Sequence, residues 1–103
     1  MSRPARRPAP AASTRVVERV QTGVRMEKRI LKVLKAIAEY HEISLGDLLE
    51  GIVLHAFEGK QPFGPRGLER VREFRRIYGL DLDASHSHRL VEAPPPGRKR
   101  KEK

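Results

Sequence analysis

The chain lacks the residues and runs that several classes of protein require. It has no cysteine among its 103 residues, which excludes a disulfide framework and a cysteine-ligated zinc site. No run approaches the roughly 20 consecutive apolar residues of a membrane span. The basic start of the sequence is not followed by the apolar segment of a secretory signal. We therefore expect a soluble protein of a reducing, cytoplasmic compartment, with no membrane partner.

Motifs of the common catalytic sites are also missing. The sequence has no glycine-rich phosphate loop and no paired-carboxylate site, and its serines, histidines and acidic residues lack the spacing of a catalytic triad. A metal site at Asp81, Asp83, His86 and His88 is an alternative, but His-x-His in a polar segment is usually solvated. We expect no enzyme, no metal and no cofactor.

Positive charge is in excess, and it is concentrated at the two ends of the chain. The formal net charge is +9. Residues 1–15 carry four arginines and no acidic residue, and residues 94–103 carry five basic residues and one glutamate. The 78 residues between them hold 13 basic and 12 acidic groups. We interpret both ends as disordered basic tails. Such tails either confer solubility or hold a polyanion, most often nucleic acid, without reading its sequence.

Alternating side chains predict one short β-strand at residues 20–26. The apolar or β-branched positions are Val20, Thr22, Val24 and Met26. The alternate positions hold Gln21, Gly23 and Arg25. This period of two is typical of a strand with one buried face. The preceding segment, STRVVERV, is ambiguous, because Ser13 or Thr14 could cap a short helix there.

Helical spacing of apolar residues predicts three helices after the strand. The first runs over residues 27–41, and the second, over about 45–58, begins after Ser44, a good N-cap residue. A loop rich in glycine and proline follows, and a third helix is expected at about 66–78. The organisation is then a domain at 16–59 and a C-terminal extension at 60–93.

The strand and the first two helices carry more apolar surface than one copy can bury. A unit of about 40 residues is too small to be stable alone, and a single strand leaves both of its edges unpaired. We therefore expect an intertwined, mainly α-helical homodimer with a two-stranded antiparallel β-ribbon and a four-helix core. The expected dimer core consists of Val20, Thr22, Val24, Met26, Ile30, Leu34, Ile37, Leu48, Leu49, Ile52 and Val53.

A strand, a helix, a break that opens on serine and a second helix resemble the ribbon-helix-helix family of Arc-, MetJ- and CopG-like repressors. The resemblance covers VQTGVRMEKRILKVLKAIAEYHEISLGDLLEGIVLHAFEG. In Arc-type repressors the exposed face of the strand reads Gln-x-Asn-x-Arg, and here the same positions hold Gln21, Gly23 and Arg25. The resemblance implies a prokaryotic, nucleoid-associated regulator whose ribbon enters the major groove of double-stranded DNA.

The family's contacts, carried onto this sequence, assign two kinds of residue. Gln21, Gly23 and Arg25 occupy the base-contacting positions, where Gln21 suits adenine and Arg25 suits guanine. Contacts to DNA phosphates are expected, as in the family, from the helix N-terminal amides of Ser44, Leu45 and Gly46. Beyond the family's pattern, the basic residues Arg19, Lys28 and Arg29 are further candidates for phosphate contacts. Glycine at position 23 departs from the pattern, since it brings no hydrogen-bonding side chain to a base.

The expected function is that of a sequence-specific, repressor-like DNA-binding protein. One alternative is an antitoxin-like or adaptor dimer whose C-terminal helix binds a partner protein. Another is a nucleoid-type protein that binds DNA without sequence preference, which the glycine at position 23 and the cationic tails favour. The third helix could cover the core, join two dimers on DNA, or contact such a partner.

Overall fold

The computed structural model describes residues 14–94, in which three α-helices form most of the regular structure. They are α1 (Lys28–His41), α2 (Leu45–Phe57) and α3 (Pro65–Ile77), and a short 3-10 helix follows at Ala84–His86. The bounds of α1, α2 and α3 differ from the expected bounds by at most one residue at each end. The tails expected at both ends of the chain fall almost entirely outside the described residues.

The predicted β-ribbon is wrong, because residues 14–94 contain no β-strand. The segment 20–26 has no regular secondary structure, and it makes no backbone–backbone hydrogen bond within the described chain. Alternating apolar and polar side chains are compatible with a β-strand, but a strand also needs a second segment that pairs with its amides and carbonyls. Val20 and Val24 remain 81% and 74% exposed. The fold class is helical, and the intertwined ribbon-helix-helix dimer is replaced by three helices of one chain.

α1 forms because apolar residues recur along it at helical spacing and polar groups close both of its ends. At the start, the Glu27 carboxylate accepts a hydrogen bond from the Ile30 N–H at 2.9 Å. At the end, Glu42 adopts a left-handed conformation (φ 58°). The Ile43 N–H then donates to the Ala38 carbonyl at 3.0 Å. This closure reverses the chain and places α2 directly after α1.

α2 and α3 begin differently. The Ser44 hydroxyl accepts a hydrogen bond from the Asp47 N–H at 3.0 Å, which caps α2. α3 starts after Gly64 with Pro65 in its first turn and has no side-chain cap. It ends before Gly79, whose φ of 65° suits a residue without a side chain. α2 therefore has a stronger start signal than α3.

The hydrophobic core lies on α1, which packs against both α2 and α3. Its buried members are Val33, Ile37, Ala38 and Leu48. Partly buried residues from all three helices and their loops surround them: Leu34, Ile43, Ile52, Phe63, Val71, Phe74 and Leu80. The third helix, whose role the sequence left open, contributes to covering this core. None of the described helices has the length and apolar character needed to span a bilayer.

Candidate nucleic-acid interface

The segment before α1, residues 14–26, is the arm, and nearly all of its surface is exposed. It carries four exposed valines, Val16, Val17, Val20 and Val24. Gln21 and Gly23 are exposed as well, and a Cβ built on Gly23 would meet nothing within 4 Å. The predicted base-contacting positions therefore face solvent, without the backbone pairing that the sequence interpretation gave them.

Arg19 of the arm is held against α2. Its guanidinium donates two hydrogen bonds to the Glu50 carboxylate, from Nε to Oε2 at 2.8 Å and from Nη2 to Oε1 at 2.7 Å. This paired geometry is the strongest that arginine forms with a carboxylate. It holds the pKa of Glu50 below its usual range and raises the pKa of Arg19. The arm residue expected to contact a phosphate thus contacts an anionic side chain of its own chain.

Arg25 is paired with Glu92, which belongs to the segment after the 3-10 helix. The Arg25 Nε donates to Glu92 Oε1 at 3.2 Å, and its Nη2 contacts the second carboxylate oxygen. The Arg25 side chain nevertheless stays 81% exposed. The pair joins the arm to the C-terminal segment across the surface of the fold.

Arg29 connects the start of α1 to the turn that follows α3. Its guanidinium contacts Glu27 at 3.1 Å, the Gly79 carbonyl at 2.9 Å and the Asp81 carboxylate at 3.1 Å. Burial alone would raise the pKa of Glu27, but hydrogen bonds from the Ile30 N–H and from Arg29 outweigh it and leave the pKa lowered. Arg29 therefore stabilises the helix start and the adjacent turn, and its hydrogen bonds are largely occupied.

The other residues expected at phosphates lie at the starts of α1 and α2. Lys28 is exposed in the first turn of α1. Ser44, Leu45 and Gly46 form the start of α2, where Asp47 places a carboxylate in the first turn. That negative charge opposes a phosphate at the same helix end. No described hydrogen bond or ion pair joins the α2 start to Arg25 or Arg29.

The residues expected in a dimer core divide into two groups. Ile37 and Leu48 are buried within one chain, and the half-buried ones are Ile30, Leu34, Leu49 and Ile52. The exposed ones are Val20, Thr22, Val24, Met26 and Val53. α2 also exposes Leu54 and Phe57 beside Val53, and these three residues form the α2 apolar face.

Sequence reasoning missed the arginines of α3. Arg72, Arg75 and Arg76 line one cleft with Gly79–Asp81, and the cleft has a volume of about 420 Å³. The signal was present in the composition, because α3 holds five arginines and two glutamates. Charge alternation concealed it, since only the folded chain separates the arginines that pair with carboxylates from those that do not.

The polar segment weighed as a metal site has a structural role. The Asp83 carboxylate accepts hydrogen bonds from the Ser85 hydroxyl at 2.5 Å and the Ser85 N–H at 3.0 Å, and these bonds lower its pKa. The Asp83 N–H donates to His86 Nδ1 at 3.1 Å, which closes a capping box around the 3-10 helix. Within residues 14–94, no group of three or more acidic or histidine side chains is arranged to hold a metal ion.

Comparison with known proteins assigns neither a family nor a function to this chain. No protein-family model matches the chain, and neither a curated protein nor a solved structure is significantly similar to it. The arrangement of its own residues is therefore the basis for a functional proposal.

Proposed function

We propose that this protein is a DNA-binding regulator of repressor type, in which the arm carries the sequence-reading contacts. The observation that supports the proposal is the exposure of Gln21 and Arg25 on an arm that precedes a basic helix start. Glutamine and arginine are the side chains that pair with adenine and guanine in the major groove. The DNA-binding role is the one that the ribbon-helix-helix resemblance implies, whereas the β-ribbon of that family has no part in the proposal.

The ion pair of Arg25 is weak enough to be exchanged for DNA. A surface pair between an exposed arginine and an exposed carboxylate contributes about 0–1 kcal/mol. A bidentate arginine–guanine contact contributes about 1–3 kcal/mol of discrimination between bases. Glu92 therefore holds Arg25 in place without preventing its transfer to a base. Arg19 likewise forms two hydrogen bonds to one carboxylate. Arg19 and Glu50 are 65% and 47% exposed, less than the 81% and 63% of Arg25 and Glu92, so Arg19 suits a role in anchoring the arm to α2.

The protein is proposed to act as a homodimer that associates through the α2 apolar face. Leu54 and Phe57 are 64% and 80% exposed, and burying such side chains contributes about 1.5–3 kcal/mol each. In a two-fold interface every residue contributes twice, so a second copy offers a cover for this face. Two arms on one dimer would contact two half-sites on DNA. Binding to chromosomal DNA implies a location on the nucleoid.

The test of the reading role is Arg25→Ala, compared with Arg89→Ala. Arg89 is also exposed and has the same charge, but it lies outside the arm. Selection of bound sequences from random duplex DNA would define a preferred site for the parent protein. On that site we expect Arg25→Ala to lose about 1–3 kcal/mol of binding free energy and to accept other bases at one position. Arg89→Ala should retain the base preference.

Three results would contradict the proposal in different ways. If Arg25→Ala binds the preferred site and random DNA as the parent does, the arm does not read bases. If the parent binds duplex DNA but selects no sequence, it binds without sequence preference, as nucleoid-type proteins do. The glycine at position 23, which has no side chain to contact a base, favours that outcome. A parent that binds no duplex DNA would exclude both forms of the proposal.

A second candidate function is capture of a partner protein by the C-terminal helix, as in antitoxin-like or adaptor proteins. It is favoured by a groove of about 520 Å³ between α1 and α3. Aromatic side chains and two lysines line the groove: Lys32, Lys35, Tyr40, Phe74 and Tyr78. Aromatic residues are enriched in protein interfaces. Co-purification of one stoichiometric protein that is lost in a Tyr40→Ala, Tyr78→Ala variant would favour this function over the first.

A further inference from the structure

Three arginines line a cleft beside the C-terminal half of α3. We call it the arginine cleft: Arg72, Arg75 and Arg76 on α3, together with the turn Gly79–Asp81. Arg75 is fixed, because its Nη2 donates to the Leu82 carbonyl at 2.7 Å. Arg72 and Arg76 are exposed, and neither forms a salt bridge with any residue of 14–94.

The one acidic residue that lines the cleft is already paired with another arginine. Asp81 lines the cleft, but its Oδ1 lies 3.1 Å from the Arg29 Nη1 of α1. On the other side of α3, Arg70 is paired with Glu73. The residues that line the cleft therefore carry three positive charges and one negative charge, and that negative charge is shared with Arg29. Glu69 lies three residues before Arg72, but the net charge of the cleft lining is positive, and an anion from outside is the ligand that this charge favours.

The cleft lies next to the base of the arm. Arg29, in the first turn of α1, donates to the Gly79 carbonyl and to Asp81, and both of these residues line the cleft. Lys28 precedes Arg29, and Arg25 of the arm lies three residues before Lys28. A rigid, extended polyanion that contacts the arm at Arg25 can thus continue along the surface toward α3.

The chemistry of the cleft suits backbone phosphates. Guanidinium groups bind phosphate oxygens through two parallel N–H bonds, and arginine is less strongly hydrated than lysine. Arg72 and Arg76 are separated by four residues of helix, so they project from the same side of α3. Half or more of the hydrogen bonds in protein–DNA complexes go to phosphate and sugar, and these contacts set the orientation of the protein.

We propose that Arg72 and Arg76 bind backbone phosphates of the same DNA duplex whose bases the arm reads. The inference rests on the proposed DNA-binding function and adds a second contact surface to it. It gives the C-terminal extension a role in orienting the protein on DNA. The contacts carry no sequence information, so they contribute affinity and salt dependence while the arm contributes base preference.

The test compares two variants that remove the same charge from different places. Arg72→Ala with Arg76→Ala empties the cleft of its two unpaired arginines. Arg66→Ala with Arg89→Ala removes two exposed arginines that lie outside it. The dissociation constant for a duplex of random sequence, and for the preferred site, is measured between 50 and 200 mM salt. Each phosphate contact contributes about 0.9 to the slope of log K against log salt.

We expect the cleft variant to lower the magnitude of that slope by about 1.8 and to weaken binding to both duplexes by the same factor. The ratio between preferred and random DNA should not change. The variant with Arg66 and Arg89 replaced should keep the slope of the parent. Arg72→Lys with Arg76→Lys, which keeps the charge, should restore most of the slope and shows that the effect is not a failure to fold.

Three results would overturn the inference. An unchanged slope in the cleft variant, while the parent binds DNA, removes the second surface and leaves the arm's function intact. Equal slopes in the two alanine variants would mean that the cleft arginines contribute no more to DNA binding than other exposed arginines do. A changed ratio between preferred and random DNA would place these arginines at bases instead of phosphates. If the parent binds no duplex at all, the proposed function itself fails, and that result is distinct from the other three.

Discussion

α2 and α3 both pack against α1, but they leave opposite kinds of surface exposed. α2 keeps Leu48 in the core and exposes Val53, Leu54 and Phe57 on its outer side. α3 places Val71 and Phe74 against the core and exposes mainly charged side chains, with Ile77 at its last position as an exposed apolar residue. A helix that is apolar beyond its packed face needs further cover, whereas a helix with one narrow apolar edge does not. The comparison supports the proposals that a second copy covers α2 and that α3 contacts an anion.

The largest expected effect is on self-association. Leu54→Lys with Phe57→Lys replaces two exposed apolar side chains on α2 with charged ones. Full burial of each is worth about 1.5–3 kcal/mol and each occurs twice in a two-fold interface. Because the side chains are already partly covered and association itself has a cost, we expect a loss of about 3–6 kcal/mol. We expect the variant to be monomeric at concentrations where the parent is dimeric, as measured by sedimentation equilibrium.

Ile77→Lys is the matched control for this experiment. Ile77 ends α3 and is 65% exposed, so the substitution replaces one exposed apolar side chain with lysine on the other helix, and it is compared with Leu54→Lys alone as well as with the double variant. It should leave the mass in solution unchanged. If Ile77→Lys dissociates the dimer and the α2 variant does not, the dimer interface lies on α3 and not on α2. A parent that is monomeric at all concentrations would remove the dimer from the proposal.

The helices could be read from the sequence because their signals are local. Apolar spacing, the Ser44 cap and the glycine-rich loop each act within a few residues, and α1, α2 and α3 lie where these signals place them. The strand could not be read in the same way. Its alternation specifies a segment with two different faces, but strand formation depends on a partner segment that the described chain does not provide.

The candidate interface was less predictable than the helices because it depends on contacts between distant residues. Glu50 and Glu92 bind Arg19 and Arg25 across 31 and 67 residues of sequence. No periodicity within the arm reveals which carboxylates are close to it. The arginine cleft likewise requires the turn at Gly79–Asp81 to fold back along α3.

A smaller effect is expected from glycines inside the two helices. A Cβ built on Gly51 of α2 would meet nothing within 4 Å, and the close helix approach that would favour glycine there is absent within the described chain. Gly51→Ala should therefore stabilise the chain by up to about 1 kcal/mol through helix propensity. Chemical denaturation at low protein concentration measures this gain.

The corresponding substitution in α3 is Gly67→Ala, which is compared with Gly51→Ala. Its Cβ would lie 3.3 Å from the Cβ of Phe63, a tight contact that offsets part of the propensity gain. We expect Gly67→Ala to stabilise the chain less than Gly51→Ala does. If Gly51→Ala stabilises the dilute chain but weakens self-association, the second copy packs closely against α2 at Gly51.

The smallest effect is expected at the helix starts, where the N-cap residues of α2 and α3 can be exchanged. Ser44 caps α2, while Gly64 occupies the same position in α3, and their backbones are similarly extended (φ −75° and −74°). A Cβ on Gly64 would meet nothing within 4 Å. Ser44→Gly should cost a few tenths of a kcal/mol, and Gly64→Ser should gain about as much.

The measurement for this swap is amide hydrogen exchange at the third residue of each helix, because it reports on the cap itself. In α2 the Asp47 N–H donates to the Ser44 hydroxyl at 3.0 Å. In α3 the Gly67 N–H is three residues after Gly64, and a serine hydroxyl there would accept its hydrogen bond. Protection at Asp47 should fall in Ser44→Gly and protection at Gly67 should rise in Gly64→Ser. If Gly67 exchanges at the same rate in both forms, the start of α3 is set by Pro65 and packing, and the two helices differ in more than their caps.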